Sequence, residues 1–304
     1  MQRRLRATDG LAVIVLILLV VVTLTGVLSF DPSKSYEAVN QYGDTVRIFG
    51  SGIYRHDSYF KAPINIGSDC AMLLLVVPLM IAALVQERKR RSIKARLFLI
   101  SIAGTAFYYA ASISLGVTYN AYHLLYIALF GCTFFLLIAL ICRTDIARLR
   151  QAQQWVLPTK GVCTFLILSG IGLFVAWLPD ILASLFEGRP LELIEVYTTE
   201  ITYVLDMGLV APLMFVCLFL LRKKDGLGDV LLAILLQLCA VIGVMLLLQT
   251  LFQTLAGIQI PVPALVTKVG IFVVLAAFAL HFYLKLLKNI SESSVPAETE
   301  KTQL

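Results

Sequence analysis

The residues with most chemical potential lie between Tyr197 and Lys224, in YTTEITYVLDMGLVAPLMFVCLFLLRKK. A polar turn (Tyr197, Thr198, Thr199, Glu200) leads into an apolar run that encloses an acid, Asp206, carries Pro212 and stops at Arg222, Lys223 and Lys224. An apolar run of that length with a basic end is a membrane-spanning helix whose basic end faces the cytoplasm. A carboxyl group one or two turns inside such a helix is costly in hydrocarbon, so it faces a bundle interior or a wet cavity. There it binds a ligand or an ion, moves a proton, or fixes packing through an ion pair.

Other polar residues fall at a similar depth. Asp69, Asn120, Glu200, Asp206, Gln249, Gln253 and Lys268 all belong to the outer halves or outer turns of apolar segments, and Tyr54, Asp57 and Ser58 lie in the first outer loop. The inner halves read as almost wholly aliphatic. Such one-sidedness predicts a polar, acid-rich pocket open to the outside. Thr199, Tyr203 and Asp206 follow i, i+4, i+7 spacing, and Gln249 and Gln253 follow i, i+4, so each set is expected on one helix face. Lys268 is the evident buried cation and a candidate partner for Asp206 or Glu200. A structural ion pair is the alternative for Asp206, an interfacial N-cap for Asp69, and plain interhelical hydrogen bonding for the two glutamines. Pro78 and Pro212 sit inside apolar runs, where proline frees a carbonyl and either kinks the helix inertly or supplies a hinge.

These residues need a scaffold, and the composition describes it. The chain has 304 residues, 59% hydrophobic and 14% charged, with a mean hydropathy of +0.88. A soluble domain is about 45–50% apolar and about 25% charged, which leaves a single transmembrane domain over 1–290 and no room for a soluble one. Arg3, Arg4 and Arg6 precede a run too long for a signal-peptide core, so it is expected to be a retained first helix. The eight expected helices cover about 11–30, 68–86, 97–115, 122–142, 161–182, 197–224, 230–252 and 264–287. Residues 31–67 form the long outer loop, and 291–304 are expected to be a disordered cytoplasmic tail.

Basic residues set the orientation. Arg3, Arg4 and Arg6, the ERKRRSIKAR cluster after the second helix, Arg143, Arg148 and Arg150, Arg222 to Lys224, and Lys285 and Lys288 all fall on the side expected to be cytoplasmic. Only Lys34, Arg47, Arg55, Lys61 and Arg189 fall on the other. Both termini are therefore expected in the cytoplasm. LVVPLM (75–80) also echoes LVAPLM (209–214), with cations at the same offset. A duplicated four-helix unit, halves 1–150 and 151–290, would give parallel repeats related by an axis along the membrane normal; chance similarity of two leucine-rich helices is the alternative.

Several function classes are poorly served. There is no Walker loop, H-E-x-x-H, G-x-S-x-G or G-x-G-x-x-G, and an intramembrane enzyme using Asp57, Asp69 or Asp206 as a base is the least supported reading. The six cysteines lie in apolar runs without C-x-x-C, and His56, His123 and His281 are scattered in depth. No metal, no cofactor and no nucleic acid is implied. Trp155, Trp177, Tyr119, Tyr122 and Tyr197 read as interfacial anchors.

Gly52 to Ser58 (G-x-Y-x-x-D-S), Asp69, Tyr119-Asn120, Tyr197 to Glu200, Leu205 to Pro212 and Gln249-Thr250 together resemble a family of uncharacterised bacterial multi-pass membrane proteins. The likeness covers most of the chain and implies a bacterial cytoplasmic membrane protein. It carries over no activity and no functional residue. The expected function is small-solute or ion-coupled transport or binding through an outward-facing acidic pocket. The alternative is a non-catalytic sensor, scaffold or assembly subunit that docks an extracytoplasmic protein through 31–67. The bilayer is a partner in either case.

Overall fold

The computed structural model describes residues 2–291, without the side chains of 2–6, 264, 267 and 268. Eight helices among the described residues are long and apolar enough to cross a membrane, so the chain is an all-α, multi-pass membrane bundle. They are α1 (Gln2–Leu28), α2 (Lys61–Arg90), α3 (Ile93–Gly116), α4 (His123–Cys142), α5 (Lys160–Glu187), α6 (Ile201–Arg222), α7 (Gly226–Leu255) and α8 (Ile271–Lys288). The expected tail, 292–304, lies outside the described residues.

The helix ends have local causes. Thr159 accepts the Val162 N–H at the start of α5, Ser92 that of Ala95 before α3, and Asp225 that of Leu227 before α7. The α2 helix begins seven residues earlier than the sequence suggests, at Lys61 rather than Ser68. Ser58 Oγ accepts the Lys61 N–H (3.1 Å), and Pro63 sits in the first turn, where its missing N–H costs nothing. The α6 helix starts only at Ile201, so Thr199 is an exposed loop residue and does not share a helix face with Tyr203 and Asp206.

Helix α7 is the hub and packs on α2, α3, α6 and α8. Close approach to α2 depends on Gly67, where a Cβ would meet Gln249 Cα at 2.5 Å. In the apolar stretch of α3, 72% of residues are buried, against 22% in α8, so α3 is interior and α8 is largely lipid-facing. Contacts run α1–α2, α2–α3, α3–α4 and α4–α1 in one ring, and α5–α6, α6–α7, α7–α8 and α8–α5 in another; α7 meets α3 and α2, and α3 meets α6, across the divide.

Two interior helices carry matched irregularities. Met72–Val76 in α2 and Asp206–Val210 in α6 each form a π-helical turn, followed at the same distance by Pro78 and Pro212. The proline cannot donate its N–H, and one widened turn takes up the mismatch. A third π turn, Leu265–Gly270, joins the short helix Val262–Ala264 to α8, so helical backbone begins close to the expected Ala264.

One end of the bundle carries the basic residues, the other a folded loop. The expected irregular segment 31–67 contains an antiparallel hairpin, β1 (Tyr36–Val39) and β2 (Thr45–Ile48), paired Tyr36 to Ile48 and Val39 to Thr45. Asn40 Oδ1 accepts the N–H groups of Tyr42 and Asp44 at the tip, and Gly43 takes the left-handed φ of 89° that the turn requires. This end is called the hairpin face below. At the opposite, basic face a short helix, Ile146–Ala152, docks on α7. Arg143 bonds Thr8 at the start of α1, and the Gln154 N–H donates to Asn289 after α8.

Candidate functional site

Asp69 and Asp206 are buried carboxyl groups within the spans, and a pair of adjacent tyrosines on α3 reaches both. Asp69 on α2 has no exposed surface. It accepts Tyr54 O–H from the loop above (2.7 Å) and Tyr109 O–H from α3. Room for it comes from Gly26 of α1, where a Cβ would sit 1.6 Å from Asp69 Oδ2. Asp206 opens the π turn of α6 and is buried. It accepts Tyr108 O–H from α3 (2.7 Å) and Trp177 Nε1–H from α5 (2.9 Å). All four donors are neutral. Trp177 stacks on Tyr203 (4.9 Å between centroids), whose hydroxyl donates to Asp180 (2.7 Å). The pairs Trp177/Asp180 and Tyr203/Asp206 thus brace α5 and α6 reciprocally.

A second polar layer closes the hairpin face. Asp57, fully buried, accepts the Thr118 N–H (3.1 Å), the Thr118 hydroxyl (3.0 Å) and the Tyr197 hydroxyl (2.8 Å). Ser58 bonds Glu195 through its hydroxyl, and its N–H donates to Tyr197 Oη (3.2 Å). Lys61 pairs with Glu200 and lies over the Tyr197 ring (4.4 Å to the centroid). Burial pushes the Asp57 carboxyl up to about 6, against its own hydrogen bonds and Lys61. Burial also raises Glu195, and it raises the Tyr54 and Tyr197 phenols well above their ordinary value, which keeps both as neutral donors.

The other residues singled out by sequence divide between helix packing and loop structure. Gln249 donates to Ser68 Oγ (2.7 Å) and Gln253 to the Phe60 carbonyl (3.2 Å), so both join α7 to α2 and its entry. Asn120 caps the turn into α4 by accepting the Tyr122 N–H (2.8 Å) and donates to Tyr126 Oη (3.4 Å). Glu200 pairs with Lys61. The Lys268 side chain lies outside the described residues.

Sequence reasoning missed four participants. Tyr108 and Tyr109 were passed over, although two tyrosines in mid-span, far from either interface, are a signal in themselves. Trp177 and Tyr197, read as interfacial anchors, are donors to Asp206 and Asp57. Trp155 is buried as well, with Lys285 over its ring (4.8 Å). The basic half is not purely aliphatic: Asp229 of α7 is fully buried beside Arg150 (3.3 Å), and Glu87 bonds Arg96 (2.6 Å). Two hollows lie away from Asp69 and Asp206. One, about 480 Å³, follows α7 between Thr250 and Ile260; the other, about 290 Å³, lies between the hairpin and residues 191–195.

No protein-family model, no curated protein and no solved structure matches the chain.

Proposed function

We propose that this is a carrier or binding protein for a small solute or ion in the bacterial cytoplasmic membrane, and that Asp69 and Asp206 are its exchange carboxyls. One observation carries the reading: two membrane-embedded acids, each beside a broken helix, share a single pair of neighbouring tyrosines. An acid in a span is costly and is retained where it has a task. Neutral hydroxyl and indole donors leave a carboxyl free to take up and release a cation or a proton, which a tight ion pair would prevent. The breaks at 72–76 and 206–210 supply the conformational freedom that exchange between two sides needs.

The same reading includes a parallel repeat of 1–150 and 151–290. In its favour are the matched π turns and prolines, and contact rings that repeat when α1 to α4 are exchanged for α5 to α8. With four helices per half, the axis would run along the membrane normal, and both termini would face the cytoplasm with the basic residues.

A thermal-shift screen of the purified protein across cations, pH and small metabolites tests the proposal, run beside Asp206→Asn. A ligand at 100 times its Kd adds about 2.7 kcal/mol of stability. A hit lost in Asp206→Asn, followed by flux of that ligand into proteoliposomes, is the expected result. Unchanged binding and flux in both Asp206→Asn and Asp69→Asn would end the idea.

One observation favours a second reading, a membrane subunit that docks a protein on the hairpin. Tyr36, Val39 and Tyr42 are 45%, 69% and 49% exposed on it. Co-purification of a partner that is lost when these residues become serine would support that reading; a stable lone chain in native-lipid particles would count against it.

A further inference from the structure

The hairpin-face layer joins two parts of the chain that are remote in sequence. On one side stand the hairpin and the cap, residues 49–60, that leads into α2. On the other is the α5–α6 loop, 188–200. The bonds between them are polar: Ser58 to Glu195, Lys61 to Glu200, Tyr197 O–H to Asp57 (2.8 Å), and Ser58 N–H to Tyr197 Oη (3.2 Å). At the hairpin tip Asn40 donates to the Glu195 carbonyl (2.9 Å) and Gln41 to the Tyr197 carbonyl (3.0 Å). Directly beneath, Tyr54 of the cap donates to Asp69.

We infer that this contact is a reversible latch, which opens and closes the hairpin face above Asp69. Three features separate it from a permanent staple. It is made of hydrogen bonds and one ion pair, which water can replace, whereas the packing of the helices below is mostly apolar and water cannot replace it. The loop that supplies its second half has no regular structure, and long loops of that kind are commonly lids. Glu195, which carries two of the links, is held at a φ of +48°, a left-handed conformation that strains a non-glycine residue and is relieved on release.

The latch also responds to pH. The groups that face Asp57 are Lys61 at the start of α2, Tyr197 from the α5–α6 loop and Tyr126 from α4; Glu200 bears on Glu195. Arg55 and His56 adjoin it in sequence and are exposed. Opening returns Asp57 to water and to an ordinary carboxyl affinity for protons. The closed form binds that proton more tightly, so acid favours closure and a rise through pH 6 loosens it. Glu195, raised by burial, acts in the same direction.

Hydrogen–deuterium exchange of the intact protein in lipid nanodiscs tests this without reading transport, so its outcome is independent of the carrier proposal. The Ser58 and Thr118 amides bond Tyr197 and Asp57 and report on the latch. After correction for the intrinsic pH dependence of exchange, their protection should fall by about tenfold between pH 5 and pH 8, the part of the shift of Asp57 from 3.8 to about 6 that this window spans. Peptides of α7 should not change. Asp57→Asn should reduce the pH slope to the part that Glu195 carries, and Tyr197→Phe should lower protection at every pH. Ser58→Ala is the milder variant and carries the test if Asp57→Asn does not fold. Protection that is flat with pH, or unaltered by both Tyr197→Phe and Ser58→Ala, would show a fixed staple and overturn the inference.

Discussion

Tyr108 and Tyr109 are consecutive residues of α3 whose hydroxyls leave the helix in different directions, one to Asp206 on α6 and the other to Asp69 on α2. Successive side chains on a helix point about 100° apart, so an adjacent pair can serve two neighbouring helices where an i, i+4 pair would serve one. Helix α3 is the most buried span, and its two phenols make it the tie between the acids.

Removing either hydroxyl should therefore destabilise the fold at a defined place. In Tyr109→Phe, Asp69 keeps only Tyr54; in Tyr108→Phe, Asp206 keeps Trp177. A buried acceptor deprived of one donor loses about 1–3 kcal/mol. Thermal unfolding in detergent should show both single variants impaired, and the double variant impaired by at least the sum. An unchanged melting temperature in both would mean that water replaces the phenols and that the acids are wetter than their burial indicates.

Gly26 is expected to tolerate no side chain. A methyl at that position would overlap Asp69 Oδ2, and α1 would have to move off α2 to admit it. In most helices Gly→Ala stabilises by up to about 1 kcal/mol. Here Gly26→Ala should destabilise instead, and the loss should shrink in Gly26→Ala/Asp69→Ala, where the obstructing carboxyl is gone. Equal losses in the single and the double variant would place the obstruction elsewhere.

Much of this was legible from residues alone, and the limits are physical. Eight spans follow from hydropathy because hydrocarbon demands about 20 apolar residues per crossing, and the polar residues at Asp69 and Asp206 stand out against that background. Partners are a different matter. The donors found for Asp206 are Tyr108 and Trp177, residues too apolar to register as electrostatic partners. Nor is the hairpin visible to a hydropathy reading: Tyr36 to Ile48 is polar overall, and its order comes from the Asn40 turn and from docking on the α5–α6 loop. The early start of α2 was hidden because Pro63, Asn65 and Gly67 look like loop residues, and tertiary packing such as Gly67 against Gln249 holds them in the helix.

Acidity should mark Asp57 in the stability of the whole protein. Its folded value of about 6 lies above the ordinary 3.8, so its protonated form is the one the fold prefers. That stability is complete below about pH 4 and is lost as pH rises through 6, in total about 3 kcal/mol. Asp31, held near 2 by Ser33 and Lys34, acts in the opposite sense but only below pH 4. Asn cannot ionise, so Asp57→Asn should gain about 2 kcal/mol on the wild type between pH 4.5 and pH 7.5 in paired melting curves, the part of the total that falls in that window. A difference that stays constant across the range would show that Asp57 remains ionised and hydrated throughout.

At the basic face, the test case is Arg150 on the short helix 146–152 and Asp229 on α7. Asp229 is fully buried and Arg150 partly so, at 3.3 Å, with Gly226 of the α7 N-terminus packed against the Ile146 carbonyl. An N-terminal helix turn stabilises a carboxylate, but a buried one still depends on its cation. Arg150→Ala should cost on the order of 3 kcal/mol, because it strands the charge. Asp229→Ala leaves the arginine able to reach water along its flexible stem and should cost less. In the double variant no buried charge remains, and stability should recover above that of Arg150→Ala. Urea or thermal unfolding of the three variants closes the cycle. A double variant no better than Arg150→Ala would mean that the short helix is held by its apolar contacts, Leu149 and Ala152, and that the ion pair contributes nothing beyond them.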